Sequence, residues 1–280
     1  MSGKEGWMIY DAAKVEDVHT QSGAAAALAE ICSFLDRDTS DPEAWSDAAV
    51  VAFELGANEQ ALEFGSASLQ IDPTQLGARQ VVGELGGDLP RVTARHRLEG
   101  WVRSQRARLQ GPVLDVGTSR SQRAWIDDMV ERLTLDVCRE VYDASTEKPD
   151  IQADLEDLSA IEDARFGSVL CTEVLEHVHR PERALAELLR VTAPGGSLLL
   201  SVPWFYPFHP CPLDLRRFTA QGLAMVVQDA GWGDVEVSGL PLPKRAHALI
   251  VEAVTEMTGR RCPAPESMGY SNWVLTAVRP

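Results

Sequence analysis

The spacing of hydrophobic and polar positions divides the chain into three parts. Residues 1–90 carry apolar positions every three or four residues, which predicts a set of helices. Residues 91–111 predict one charged helix that links this region to the rest. From 112 to 280, short apolar runs alternate with helical patterns, which is typical of an α/β domain. The predicted strands are 112–116, 133–137, 167–171, 197–202, 233–237 and 272–278, and the predicted helices are 121–132, 181–192, 218–230 and 244–258.

Several of the predicted strands are apolar at successive positions. The runs GSVLC and SLLLSV show no polar alternation, which indicates strands buried on both faces of a parallel sheet. The strand at 272–278 follows a long excursion of the chain, and we expect it to be antiparallel. With a further strand before Asp154, the pattern predicts a doubly wound, mostly parallel seven-stranded α/β sheet, preceded by a small all-α domain.

The clearest helical pair lies between Pro42 and Pro73, with a turn at 55–58. Its early tryptophan, the glycine at the turn and the final Asp-Pro resemble one tetratricopeptide repeat. Fewer than three full repeats should not be stable alone. We therefore favour a lid or a homodimer surface over a peptide-binding groove.

Charge and cysteine content exclude several classes of function. The net charge of −16 argues against a nucleic-acid partner, because phosphate binding needs a basic surface. The five cysteines are scattered and form no CxxC pair, which favours a reducing compartment without a zinc site or a disulfide framework. No apolar run approaches the ~20 residues of a membrane helix. We expect a cytoplasmic protein that contacts no membrane.

The stretch VLDVGTSRS at 113–121 has the form of a buried strand that enters a cofactor loop. Gly117 gives this loop the backbone freedom that a closely bound cofactor needs. Asp136 ends the second predicted strand, where its carboxylate can accept both hydroxyls of an adenosine ribose. Asp154 follows the third strand and can accept from an adenine amino group, while the N–H of Leu155 donates to the ring.

Three later segments are LCTEVLEHV, RVTAPGGSLLLSVP and RRFTAQGLAMVVQDAGW. With them, residues 112–280 resemble the class I S-adenosylmethionine-dependent methyltransferases, specifically the small-molecule group with an EVLEHV segment. The resemblance implies S-adenosylmethionine as the cofactor. It implies these cofactor-binding residues: Asp115, Gly117, Asp136, Asp154 and, near the methionine end, Glu173.

The cofactor loop departs from the pattern of that family. Ser119 and Ser121 stand where the family has glycine. The serines either re-form a working loop, with a hydroxyl that hydrogen-bonds the cofactor, or mark a site that no longer supports methyl transfer. Because Asp136, Asp154 and Glu173 are all present, we favour a working site and count Ser119 among its cofactor-binding residues.

The segment EVLEH carries the first candidate base. If it is helical, Glu173 and His177 share one face, and the carboxylate favours proton uptake by the imidazole. His177 could then remove a proton from an acceptor. The alternative is that His177 only braces the turn.

The segment VPWFYPFHPCPLDLRRF at 202–218 carries the second candidate base, His209. Its four prolines stiffen the loop, and its interleaved aromatic residues offer apolar walls to an acceptor. Asp214 is expected to pair with Arg216 or Arg217. The alternative is a packed loop with an exposed histidine.

Glu173, Glu176, His177 and His209 also form a mixed oxygen and nitrogen set that suits a divalent cation. Relatives that carry such residues differ in whether they bind a metal. From the sequence we therefore predict no bound metal at these residues.

These features lead to one main hypothesis. The chain is expected to transfer a methyl group from S-adenosylmethionine to an oxygen or nitrogen of a small-molecule acceptor, with a specialised metabolite as the expected class. Two alternatives stay open. The first is a non-methylating interaction protein, and the second is a cyclase-like enzyme that keeps the fold with a degenerate cofactor loop.

Overall fold

The computed structural model describes residues 10–90, 92–118, 123–127, 129–137, 148–209, 213–259 and 269–280. The chain forms two compact units, Met1–Gln105 and Arg106–Pro280. No helix among the described residues has both the length and the apolar character that crossing a membrane requires.

The first unit is helical, as its apolar spacing predicts. Asp41 caps one helix by accepting the backbone N–H groups of Glu43 and Ala44, and Pro42 occupies the first helical position. The ring of Trp45, on this helix, packs against the ring of Phe64 on the helix that follows, at a centroid distance of 5.6 Å. The helices are α1 (Ala12–Ser22), α2 (Ala24–Leu35), α3 (Pro42–Glu54), α4 (Asn58–Ile71), α5 (Leu76–Glu84) and α6 (Ala94–Ser104). The tetratricopeptide resemblance of α3 and α4 stays a prediction.

The second unit contains a seven-stranded sheet within the described part of the chain, in the order β3-β2-β1-β4-β5-β7-β6. Strands β1 to β5 are parallel where they pair, and β7 is antiparallel to β5 and β6, so the prediction for the last strand is confirmed. The strands are β1 (Val113–Val116), β2 (Arg132–Asp136), β3 (Ile151–Gln152), β4 (Phe166–Thr172), β5 (Thr192–Pro203), β6 (Gly233–Pro241) and β7 (Tyr270–Val278). The helices are α7 (Ala124–Asp127), α8 (Pro181–Val191), α9 (Ala220–Asp229) and α10 (Lys244–Thr258). The predicted fold class is confirmed.

The central strands are buried on both faces. Every residue of β1 is buried, as are nearly all residues of β4 and the second half of β5. Helix α8 covers the sheet with one apolar face, made by Ala184, Leu185 and Leu188. The edge strand β6 instead alternates between exposed and half-buried positions. This burial explains why the central strands lack polar alternation in the sequence.

Strand β5 is longer than its apolar run indicates. It begins at Thr192, which pairs with Phe166 of β4, and its register with β4 shifts before Ser197. The N–H of Gly195 donates to the carbonyl of Arg279 at 2.9 Å, and the N–H of Arg279 donates to the carbonyl of Gly196 at 2.9 Å. The sheet thus delivers the carboxyl ends of β1, β2, β4 and β5 to one edge, which is where α/β sheets bind ligands.

Candidate cofactor and acceptor site

Gly117 forms the turn that leaves β1 at this edge. Its φ is +71°, in the left-handed region that favours glycine. Its N–H donates to the carbonyl of Leu135 at 2.8 Å, which holds the turn beside the end of β2. A Cβ atom at position 117 would lie 2.4 Å from Cγ2 of Val174. The tight turn expected from the sequence is therefore present, and its contact with a cofactor stays a prediction.

We predict that Gly117→Ala destabilises the second unit by about 1–3 kcal/mol, because it adds both backbone strain and a steric clash. Urea unfolding followed by circular dichroism measures the loss. Adding Val174→Ala removes the clash but leaves the strain, so the double variant should recover part of the stability. An unchanged midpoint in the single variant would contradict this account of the turn.

Asp115 is fully buried, and its carboxylate joins two arginines. Its Oδ1 lies 2.7 Å from Nη1 of Arg123, and its Oδ2 lies 3.0 Å from Nη1 of Arg132. Arg132 also donates to both carboxylate oxygens of Asp127, each at 2.9 Å. Asp115 thus joins β1 to two buried guanidinium groups. The direct cofactor contact predicted for it stays a prediction.

Arg123 is a residue of this site that the sequence did not indicate. Its φ is +67°, and its Nη2 donates to Oγ1 of Thr172 at 2.7 Å. The guanidinium therefore ties the ends of β1 and β4 together. No sequence pattern marks one arginine of a polar loop as buried. Ser119, the predicted hydroxyl contact of the same loop, lies outside the described residues.

The predicted adenosine-binding residues follow the ends of β2 and β3. Asp136 is half-buried, and its Oδ1 accepts the N–H of Val137 at 2.7 Å. Asp154 is exposed and accepts the N–H of Glu156 at 2.9 Å, which forms a local turn. The side chain of Leu155 is buried in the core, and its backbone N–H is the predicted contact. The roles of these three residues in cofactor binding stay predictions.

Glu173 directly follows β4 and has a left-handed backbone conformation. Its φ is +56°, so the chain turns sharply there instead of entering a helix. Ser201 donates to its Oε1 at 2.6 Å, and Asn272 donates to its Oε2 at 2.9 Å. Burial raises the pKa of Glu173 above its ordinary value, although both hydrogen bonds favour the charged form.

A 3₁₀ turn forms at Leu175–His177. The segment is therefore not an α-helix, and the condition under which Glu173 and His177 would share a helical face is not met. The carboxylate beside the imidazole is that of Glu176, whose Oε1 lies 3.6 Å from Nε2 of His177. Burial raises the pKa of Glu176 to about 8, and the nearby charge of Glu173 adds to the rise.

The loop after β5 presents the aromatic surface that the sequence predicts. The N–H groups of Trp204 and Phe205 donate to the carbonyl of Ser271 at 2.9 and 3.0 Å, which fixes the start of the loop. Phe205, Tyr206 and Phe208 are exposed, and Phe208 is 73% accessible to solvent. This exposed aromatic patch fits a wall for a planar or apolar acceptor.

Asp214 holds the far end of this loop. It pairs with Arg217, whose Nη2 donates to Oδ2 at 2.8 Å, whereas Arg216 donates to the carbonyl of His179. The Arg217 hydrogen bond is the main reason why the pKa of Asp214 lies well below its usual range. The backbone N–H of His209 donates to the same carboxylate at 3.1 Å. The open choice between the two arginines is thus decided in favour of Arg217.

The two predicted bases, His177 and His209, come together in space. Their ring centroids are 5.2 Å apart, with an interplanar angle of 79°. The ring of Tyr206 packs edge-on against His209 at 5.1 Å. Two segments that are 32 positions apart in the sequence therefore share one site beside the aromatic patch.

A family model matches part of the second unit. Residues 114–200, from β1 through most of β5, match the family model described as a methyltransferase domain. The matched segment contains the parallel strands of the seven-stranded sheet and ends before the antiparallel strand β7.

Individual proteins are similar over parts of the chain. A demethylmenaquinone methyltransferase from Renibacterium salmoninarum is 36% identical over 105 residues, which is 35% of this chain and 44% of that protein. The chain thus spans less than half the length of that curated relative. A solved S-adenosylmethionine-dependent methyltransferase from Archaeoglobus fulgidus is 13% identical, with 71% of this chain and 98% of that chain covered and a TM-score of 0.46. The [4+2]-cyclase SpnF is 20% identical, with 66% and 81% covered and a TM-score of 0.45.

Proposed function

We propose that the second unit binds S-adenosylmethionine and transfers its methyl group to an oxygen or nitrogen of a small-molecule acceptor, such as a specialised metabolite. One observation carries the proposal. In the segment that matches the methyltransferase domain, Gly117 and Glu173 directly follow β1 and β4, and Asp136 is the last residue of β2, so all three lie at one edge of the sheet. The aromatic loop follows β5 at the same edge.

The residues at this edge fit the cofactor. The turn at Gly117 lies at the carboxyl end of β1, where ligands bind to sheets of this kind. The half-buried carboxylate of Asp136 can accept the two ribose hydroxyls. Asp154 and the N–H of Leu155 are assigned to the adenine, and Ser119 and Glu173 to the methionine end.

When bound, S-adenosylmethionine supplies a methyl group that its positive sulfur has already activated. The chain then has to align the acceptor, exclude water and accept a proton. The exposed aromatic side chains of Phe205, Tyr206 and Phe208 are assigned to the first two tasks. The paired imidazoles of His177 and His209 are assigned to the third, because each can take a proton on its Nε2 atom.

We predict that Asp136→Ala weakens S-adenosylmethionine binding by about 1.5–3 kcal/mol, because a charged acceptor of two hydroxyls is lost. Equilibrium dialysis with labelled cofactor measures the change. Glu131→Ala, at an exposed residue directly before the same strand, is the matched control and should bind as the wild type does. Equal affinities in all three proteins would contradict the assignment of Asp136.

An acceptor screen tests the reaction itself. The full chain is incubated with S-adenosylmethionine and a panel of phenols, alcohols and amines, and both S-adenosylhomocysteine and the acceptor mass are followed. We expect S-adenosylhomocysteine together with an acceptor that is heavier by one methylene group. A product with the same mass as its acceptor would instead indicate a cyclase-like enzyme, and cofactor binding without any turnover would favour an interaction protein.

A further inference from the structure

Three metal-ligating side chains converge at the aromatic loop. One donor atom from each of Glu176, His177 and His209 lies within 4.8 Å of the others. Glu176 and His177 belong to the 3₁₀ turn after β4, and His209 belongs to the loop after β5. Glu173 is not part of this cluster, because Ser201 and Asn272 hold its carboxylate.

The surroundings of the Glu176 carboxylate indicate a site for a ligand. The residue is 0% exposed. Neither of its carboxylate oxygens has a hydrogen-bond partner in the described part of the chain. The Nε2 atom of His177 is 3.6 Å away, which is too far for a hydrogen bond. Burying a carboxylate without a partner is costly, and a bound cation would remove that cost.

Hydrogen bonds orient both imidazoles toward the same role. Nδ1 of His177 lies 2.6 Å from the carbonyl oxygen of Leu213. Nδ1 of His209 lies 3.1 Å from the carbonyl oxygen of Pro207 and 3.2 Å from Oδ2 of Asp214. Since these oxygens can only accept, each Nδ1 carries a proton, and in the neutral form of each ring the lone pair is on Nε2. Metal-ligating histidines commonly have this arrangement, in which the second ring nitrogen donates to a carbonyl or a carboxylate.

We propose that Glu176, His177 and His209 bind one divalent transition-metal cation. Two imidazole nitrogens and one carboxylate suit Zn²⁺, Co²⁺ or Mn²⁺, whereas Mg²⁺ and Ca²⁺ prefer oxygen ligands throughout. Asp214, which is fixed by Arg217, acts as a positioning residue for His209.

Methyl transfer from a sulfonium does not require a metal ion. A cation at this site would in addition activate an acceptor hydroxyl. Three protein ligands leave coordination positions open for an oxygen ligand. An acceptor hydroxyl in such a position loses its proton more readily. The cation therefore selects an oxygen acceptor over an amine, and this last step rests on the proposed function, whereas the binding of the ion does not.

Cation titrations of the full, untagged chain test the proposal. After removal of metals with a chelator, Co²⁺ and Zn²⁺ are titrated by calorimetry, and Co²⁺ binding is also followed by its visible absorption. We expect one ion per chain, a spectrum typical of nitrogen ligation, and affinity for Mg²⁺ that is at least ~10-fold weaker. Absence of Co²⁺ and Zn²⁺ binding at millimolar concentrations would overturn the proposal.

Variants assign the ion to its ligands. Glu176→Gln and His209→Ala should each weaken Co²⁺ binding at least ~10-fold, and Asp214→Asn should weaken it by about 10–100-fold. His179→Ala, an exposed histidine of the same segment, is the matched control and should leave binding unchanged. Unchanged binding in both Glu176→Gln and His209→Ala would place the ion elsewhere and overturn the proposal.

The same samples are titrated with S-adenosylmethionine. Ion binding without cofactor binding would support the metal site and contradict the proposed function. Cofactor binding without ion binding would support the proposed function and overturn the metal site.

Discussion

Replacing Asp115 by asparagine should lower the free energy of unfolding of the second unit by about 3–5 kcal/mol. Asp115 is fully buried between the side chains of Arg123 and Arg132, which are 8% and 0% exposed. Asparagine has nearly the same shape but no charge, so both buried guanidinium groups lose their ion pair with residue 115. Urea unfolding measures the global loss, and hydrogen exchange of the β1 amides shows whether the loss is centred on this strand.

A surface ion pair provides the control for this prediction. Asp163 pairs with Arg190, but its side chain is 73% exposed. Asp163→Asn should therefore cost less than about 1 kcal/mol. Equal losses in the two variants would show that Asp115 is not the centre of a buried charge network.

Replacing His177 or His209 by alanine should lower the turnover rate by ~10²–10⁴-fold while leaving S-adenosylmethionine affinity nearly intact. Removal of the acceptor proton is needed only to reach the transition state. The affinity for the cofactor therefore does not depend on the base. We expect the larger loss at His209, because it lies in the aromatic loop. Single-turnover measurements with an acceptor from the screen check the rates, and His179→Ala serves as the control.

A rate loss is expected whether the imidazoles accept a proton or bind an ion. One Nε2 lone pair cannot do both at once, so a second experiment has to separate the two roles. The cation titrations separate the two roles. Small and equal rate losses in both histidine variants would contradict a part for either imidazole, or for an ion bound to it, in the methyl-transfer reaction. The acceptor would then be an amine that loses its proton to water, and the site would contribute alignment alone.

Apolar periodicity was sufficient to predict the sheet. The strands buried on both faces have continuous apolar runs, and the run at 272–278 lies within the antiparallel strand β7. The turn at Gly117 was also predictable, because a glycine directly after a buried strand indicates a tight turn. These features depend on residues that are near one another in sequence.

The details of the site depend on contacts between distant residues. Glu173 has a positive φ while Ser201 and Asn272 hold its carboxylate, and neither partner is adjacent to it in sequence. The spacing of Glu173 and His177 suits one face of a helix, but spacing alone does not decide whether the segment is a helix or a turn. Arg123 was missed because its partner Thr172 is brought near by the pairing of β1 with β4.

Other expectations depend on properties outside a single chain. The homodimer through the N-terminal helices, the cytoplasmic location and the absence of a nucleic-acid partner stay predictions. Gel filtration and crosslinking of the full chain would test the first of them.

The most direct test of the central claim is a calorimetric titration of S-adenosylmethionine into the full chain. We predict saturable binding at one site per chain, with S-adenosylhomocysteine competing for the same site. The result should hold with and without added divalent cations. No binding at millimolar cofactor concentrations, in a chain shown to be folded by circular dichroism, would contradict the claim that this sheet edge is a working S-adenosylmethionine site.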